Sequence, residues 1–68
     1  MTMFIVRVIW EGELLSRTEF DSEILATAYY KSTIDFWNRS DDSAGISVML
    51  LDEEIDDILF EHYFPEVY

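Results

Sequence analysis

The chain has no cysteine among its 68 residues, and this absence constrains its fold more than any other feature. No disulfide can form, and a metal site built on thiolates is excluded. A chain of this size buries only about 60% of its unfolded surface, which is marginal for a monomer without crosslinks. We therefore expect a single domain over residues 1–68 that is stabilised by apolar packing, with a subunit interface as further support.

Three segments have the branched and aromatic composition that is typical of β-strands. They are residues 3–10, 14–20 and 46–51. Glu11-Gly12 lies between the first two, and glycine permits the positive φ that a tight hairpin turn needs. Both faces of the first segment are largely apolar, so we expect this strand to lie in the middle of a sheet.

Residues 21–38 have the apolar periodicity of a helix. Asp21 is the predicted N-cap, and the polar loop over residues 39–45 ends the helix near Asn38. The broad apolar side of this helix should face the sheet. The predicted core of the domain is Val6, Val8, Leu25, Tyr29, Phe36, Val48 and Leu50.

Residues 53–64 fit two structures. Their apolar spacing of i, i+3, i+4 and i+7 fits a helix capped by Asp52. The aromatic and branched run over residues 58–64 also fits a strand that returns through an acidic turn to pair with residues 46–51. We favour the strand because these residue types dominate the run. The predicted fold class is therefore α+β, a small antiparallel sheet in the order ββαββ with one helix packed on one face, and the alternative is ββαβα.

The net charge of −11 is unevenly distributed along the chain. Residues 41–68 contain nine acidic residues and no lysine or arginine. Nucleic acids and anionic membranes are poor partners for such a chain, because binding phosphate requires positive charge. A basic surface on another protein is the partner that the charge favours.

No set of residues indicates catalysis, a cofactor or a metal site. The serines lack the glycines of a nucleophile elbow, and His62, the single histidine, lies in an aromatic run where packing explains it. A carboxylate pair for glycoside cleavage needs a cleft that a domain of this size rarely builds. A calcium loop over residues 52–57 would have Ile55 where an oxygen ligand or a glycine is needed. We therefore predict no catalytic residue, no cofactor, no metal and no enzymatic activity.

The acidic residues in the second half of the chain are the predicted partner-binding surface. They are Asp41, Asp42, Asp52, Glu53, Glu54, Asp56, Asp57 and Glu61. Aromatic residues close to them in sequence would provide the apolar anchors that protein interfaces use. Those residues are Phe60, Tyr63, Phe64 and Tyr68, of which we expect Phe60 and Phe64 to lie in the core.

The apolar run at residues 3–10 lacks the form of a secretion signal. Arg7 interrupts it, and no basic region precedes it. The run is also too short to span a bilayer. A cytoplasmic location and the absence of a membrane partner are the expectations.

In size, charge, lack of cysteine and element order, the whole chain resembles small acidic inhibitor proteins of bacteriophages and mobile elements. Anti-CRISPR proteins, anti-restriction proteins and uracil-glycosylase inhibitors belong to that group, and some of them mimic DNA. The resemblance implies an inhibitor that acts in the host cytoplasm by occupying the nucleic-acid channel of a host enzyme. No residue string, the acidic run Asp52–Asp57 included, corresponds to a motif of that group, so the resemblance assigns no site residue.

Two functional hypotheses follow. The first is an inhibitor or adaptor that docks on the basic, nucleic-acid-binding surface of a partner protein. The second is a structural subunit or a homo-oligomer, for example a homodimer, that associates through apolar sheet surface, with its acidic residues only solvated. Salt distinguishes them, because charge-driven association weakens steeply with ionic strength and apolar association does not.

Overall fold

A computed structural model describes residues 3–66 of the chain. Its elements are β1 (Phe4–Trp10), β2 (Glu13–Phe20), α1 (Glu23–Asn38), β3 (Ile46–Asp52) and β4 (Asp57–Tyr63). The strands form one antiparallel sheet in the order β2-β1-β3-β4. The predicted α+β class, with one helix and a small antiparallel sheet, is confirmed, and β1 is a central strand as expected.

The β1–β2 hairpin follows from its turn residues. Glu11 and Gly12 both have positive φ, of 48° and 82°, as a two-residue type I′ turn requires. Beyond the turn, β2 contains one extra residue, Leu15, because Val8 pairs with Ser16 and Ile9 pairs with Leu14. Such a bulge bends the strand and redirects the extra side chain.

Residues 57–63 form a strand, so the favoured interpretation of the last segment is confirmed and the alternative second helix is wrong. Antiparallel pairing with β3 places Phe60 opposite Leu50. In the turn, the Asp52 carboxylate oxygen Oδ1 accepts a hydrogen bond from the Glu54 amide at 3.0 Å, and Asp56 adopts a positive φ of 51°. Aspartate side chains commonly accept a hydrogen bond from the amide two residues later, and aspartate tolerates a positive φ better than most residues. These properties explain why an acidic segment forms the turn here.

The core lies between the helix and one face of the two central strands. Val6 pairs with Leu50 and Val8 with Val48, and all four side chains are buried as predicted. The other buried members of this core are Ala26, Tyr30, Ile46 and Phe64. Ile5 and Leu51 are also buried but lie outside this cluster, because alternate residues of a strand point to opposite faces.

The helix is rotated relative to the prediction. Ala26 and Tyr30 are buried against the sheet, whereas Leu25, Tyr29 and Phe36 are exposed, Leu25 at 57% and Phe36 at 63% of their surface. Apolar side chains surround most of this helix, so the pattern did not select one side. The short side chain of Ala26 lets the helix approach the sheet closely, and this packing determined the rotation.

Two further expectations were wrong in detail. The N-cap is Ser22, one residue after Asp21: its side chain accepts a hydrogen bond from the Leu25 amide at 3.3 Å, and its φ of −129° is extended, as a cap requires. Phe64 is buried as predicted, but Phe60 is 49% exposed. Phe60 lies on the edge strand, where no further strand covers its outer side.

Candidate functional site

The structure separates the predicted partner-binding residues into three places. One group forms the β3–β4 turn, which we call the acidic hairpin: Asp52, Glu53, Glu54, Asp56 and Asp57. Asp41 and Asp42 lie in the loop that precedes β3, at the opposite end of the sheet. The seven residues of β3 separate the two groups, a distance of about 20 Å at the usual rise of a strand. Glu61 lies in mid-sheet, opposite Met49.

The acidic hairpin lies at the end of the sheet where the helix begins. Phe4 pairs with both Phe20 and Asp52, so Asp21 and Glu23, which follow Phe20, lie at this same end. The backbone amide of Glu53 donates to the carbonyl of Met3 at 3.0 Å, which ties the turn to the start of β1. Of the aromatic neighbours expected beside these acids, Phe60 and Tyr63 lie farther along β4, Phe64 follows that strand, and Tyr68 lies outside the described residues. The exposed apolar residues nearest to the turn in sequence are Ile55 and Ile58.

Acidic and aromatic residues do meet at the other end, in a cavity that we call the aromatic groove. It has a volume of about 640 Å³ and opens between the helix, the β1–β2 hairpin and the loop before β3. Its lining residues are Trp10, Leu15, Phe36, Trp37, Ser40, Asp41, Asp42, Ala44 and Ile46. Both tryptophans of the chain therefore line the groove, and two of the predicted acidic residues lie beside them.

The groove results from the rotation of the helix. With Ala26 and Tyr30 facing the sheet, the Phe36 side of the helix points toward β2, where the bulge directs Leu15 into the same space. The rings of Phe36 and Trp37 pack edge to face with centroids 5.2 Å apart. A second cavity of about 540 Å³ shares Leu15, Phe36 and Trp37 with the aromatic groove and extends it along the helix to Tyr29.

Backbone contacts fix the loop that carries the two aspartates. The amide of Asp42 donates to the Ser40 hydroxyl at 3.1 Å, and the amide of Gly45 donates to the Phe64 carbonyl at 2.8 Å. Gly45 has a positive φ of 82°, and a Cβ there would lie 3.5 Å from the Trp10 ring and 3.1 Å from a Glu66 oxygen. Glycine therefore lets the loop pass close to Trp10, which holds the carboxylates near the groove.

The other chemical groups of the chain do not form a comparable site. His62 lies exposed on β4 with its ring edge-on to Phe64, centroids 4.6 Å apart. Among residues 3–66, no three histidine, aspartate or glutamate side chains are placed to hold a metal ion. Within the same residues, no helix has the length and apolar character that crossing a membrane requires.

Sequence reasoning missed seven of the nine lining residues of the groove, among them Trp10, Leu15, Phe36 and Trp37. The available signal was the excess of apolar residues around the helix, since one helix cannot bury all of its sides against one sheet. Comparison with protein-family models, characterised proteins and solved structures finds no match for this chain.

Proposed function

We propose that this protein is a non-catalytic binding module that holds a basic, partly apolar segment of another protein in its aromatic groove. The observation that carries the proposal is the position of Asp41 and Asp42 in the lining of the same cavity as Trp10, Phe36 and Trp37. Interfaces use buried aromatic anchors for affinity and complementary charges for orientation. The groove offers both within one concave surface.

The remaining charge supports a partner with a basic surface. A net charge of −11 attracts cations from a distance and increases the rate of encounter with a basic protein. The aromatic contacts, which are made only after docking, slow dissociation. In this proposal the acidic hairpin and Glu61 contribute to attraction, and the hairpin is a second contact for a partner large enough to reach it.

The placement of charge favours docking through the groove over mimicry of a continuous DNA strand. Duplex DNA presents negative charge at about every 1.7 Å along its axis. Here Arg7 and Arg17 lie in mid-sheet and Lys31 in mid-helix, so basic residues interrupt the acidic ones between the two ends. A partner that binds nucleic acid would be inhibited by occupancy of a basic groove, without any covalent change.

The two tryptophans provide a direct test, since both line the groove. The probe is a tryptophan-free amphipathic peptide of leucine and lysine, and its controls replace lysine by glutamate or by glutamine. We expect the lysine peptide to change the tryptophan emission saturably and to bind at least about tenfold more weakly in high salt. Equal binding of all three peptides, or none by the lysine peptide, would contradict the proposal.

Two charge-matched variants locate the site. Asp41→Asn with Asp42→Asn removes two charges at the groove, and Asp56→Asn with Asp57→Asn removes two at the acidic hairpin. Both pairs reduce the long-range attraction by the same amount, so only local contacts distinguish them. We expect the first pair of changes to lower the affinity for the lysine peptide by about tenfold, and the second pair to lower it by much less. The reverse order would make the acidic hairpin the binding surface.

A further inference from the structure

The face of the sheet that points away from the helix carries a charge pattern of its own. We call it the open face. Antiparallel register aligns four of its side chains across the strands: Arg17 on β2, Arg7 on β1, Met49 on β3 and Glu61 on β4. Ile5 and Leu51 pair beside this row. Among residues 3–66, no helix or strand packs on this face.

The charged side chains of the open face are not all paired within the described residues. Arg7 lies directly opposite Arg17, and like charges in that position destabilise a sheet. Arg17 pairs with Glu19 on its own strand, whereas the Nε of Arg7 is buried and has no hydrogen-bond partner within the described residues. Two of the four basic residues of an acidic chain therefore lie side by side on this face, where a carboxylate from outside that pairs with one of them would offset their repulsion.

We propose that a second copy of the chain covers the open face, related by a two-fold axis parallel to the strands. This operation places β2 of one copy over β4 of the other and β1 over β3. Arg17 of each copy then faces Glu61 of the other, because the register puts both in the same row. Leu14 of each copy meets Tyr63 of the other, because the register puts these two exposed side chains in one row, and the aligned packing of two sheets allows the contact.

The charges select this axis over the alternative. A two-fold axis across the strands would place Arg7 over its own equivalent and Glu61 over its own equivalent. The axis along the strands replaces those repulsive contacts with two equal Arg17–Glu61 contacts. Such self-complementarity is the requirement for a closed symmetric dimer.

The area of the open face indicates how strong the dimer should be. Four strands at a spacing of about 4.8 Å and a length of about 20 Å give a projected area of about 400 Å² per copy. This is about half of the roughly 800 Å² per partner that a standard specific interface buries, so the dimer should be weak. The dimer leaves the aromatic groove free, since the groove lies on the helix side, so the inference does not depend on the proposed function.

Charge exchange tests the dimer. The parent protein, Arg17→Glu, Glu61→Arg and an equimolar mixture of the two variants are compared by sedimentation at physiological salt, up to about 500 µM. In a dimer of either variant alone, like charges face each other across the interface. We expect that dimer to dissociate at least about tenfold more readily than the parent dimer. In the mixed dimer both contacts pair a glutamate with an arginine, so mixing should restore association, with one copy of each variant per dimer by native mass spectrometry.

Folding controls keep the test interpretable. Arg17→Glu loses the contact with Glu19, but Glu61→Arg keeps it, and circular dichroism and melting must show both variants folded. Leu14→Asp, on the open face, should abolish association, whereas Ile24→Asp, an equal change on the outer helix surface, should not. A monomeric parent at about 500 µM, a dimeric single variant or an unassociated mixture would each overturn the proposal.

Discussion

The ring of Tyr30 on the helix stacks on that of Phe60 on β4, with centroids 5.8 Å apart and planes 30° from parallel. The contact joins the helix to an edge strand and buries Tyr30, although Phe60 itself remains half exposed. The phenol of Tyr30 is therefore removed from water close to β4, the strand that carries Glu61.

The phenol of Tyr30 should ionise at a higher pH than a free tyrosine. Burial, and secondly the negative charge of Glu61, raise the pKa of Tyr30 above its ordinary value of 10.0. The folded state therefore holds this proton more tightly than the unfolded state. The resulting stabilisation is present below about pH 10 and is lost as the pH rises through the folded pKa. Ultraviolet titration of the parent protein and of Tyr30→Phe should assign to Tyr30 a tyrosinate transition above pH 10.0.

Glu61→Gln provides the matched variant for that titration. Removing the charge should lower the pKa of Tyr30 toward its ordinary value while burial keeps it above that value. A late transition that stays in place in Glu61→Gln would show that the charge has no effect on Tyr30. A Tyr30 transition at or below pH 10.0 would contradict the burial of Tyr30.

Two leucine-to-alanine changes distinguish the observed core from the predicted one. Leu50 is fully buried between helix and sheet, and Leu25 is largely exposed. Leu50→Ala should lower the free energy of unfolding by about 2–5 kcal/mol, because it leaves a cavity. Leu25→Ala should change it by less than about 1 kcal/mol, since little contact is lost and alanine favours the helix. Urea denaturation measures both, and similar losses would contradict the observed helix rotation.

The sheet was predictable because its signals are local. Branched and aromatic runs, the Glu11-Gly12 turn and the acidic turn after Asp52 each specify a strand or a hairpin within a few residues. The buried valines of β1 and β3 followed from the alternation of side chains along a strand.

The candidate site was less predictable because it depends on packing between distant segments. The rotation of the helix rests on how Ala26 fits the sheet, and the Leu15 bulge appears only in the strand register. From the sequence we predicted that acidic and aromatic residues lie together, but near residues 52–64. The structure brings Asp41 and Asp42 to Trp10 and Trp37, which lie far from each other in the chain.

The N-cap can be tested with a pair of neighbouring changes. Ser22→Ala removes the acceptor of the Leu25 amide hydrogen bond and should lower stability by about 1 kcal/mol. Asp21→Asn leaves that bond intact and removes one charge near the helix start, which should cost less than about 0.5 kcal/mol. Thermal unfolding gives both values. A larger loss for Asp21→Asn would mean that Asp21 is the cap.

Phe36 should matter more for binding than for folding. Its side chain is largely exposed and contacts Trp37, so Phe36→Ala should lower the free energy of unfolding by only about 1 kcal/mol. The same change removes an aromatic side chain that lines the groove and should lower the affinity for the lysine peptide by about tenfold or more. Ile24→Ala, on the outer helix surface, is the control for a general loss of apolar area. A destabilisation of about 3 kcal/mol or more by Phe36→Ala would place Phe36 in the core.

Neutralising the acidic hairpin should stabilise the fold at low salt. Asp56 and Asp57 lie in one short turn with Asp52, Glu53 and Glu54, and repulsion among such neighbours opposes the compact state. Asparagine at position 56 keeps the tolerance for positive φ that this residue needs. Asp56→Asn with Asp57→Asn should therefore raise the melting temperature, and the gain should shrink as salt screens the charges.

Asp35→Asn is the control of opposite sign, because it breaks the 2.9 Å pair with Arg39 and should leave the melting temperature unchanged or slightly lower. An equal gain at low and high salt would show that the hairpin change acts through the turn backbone and not through charge.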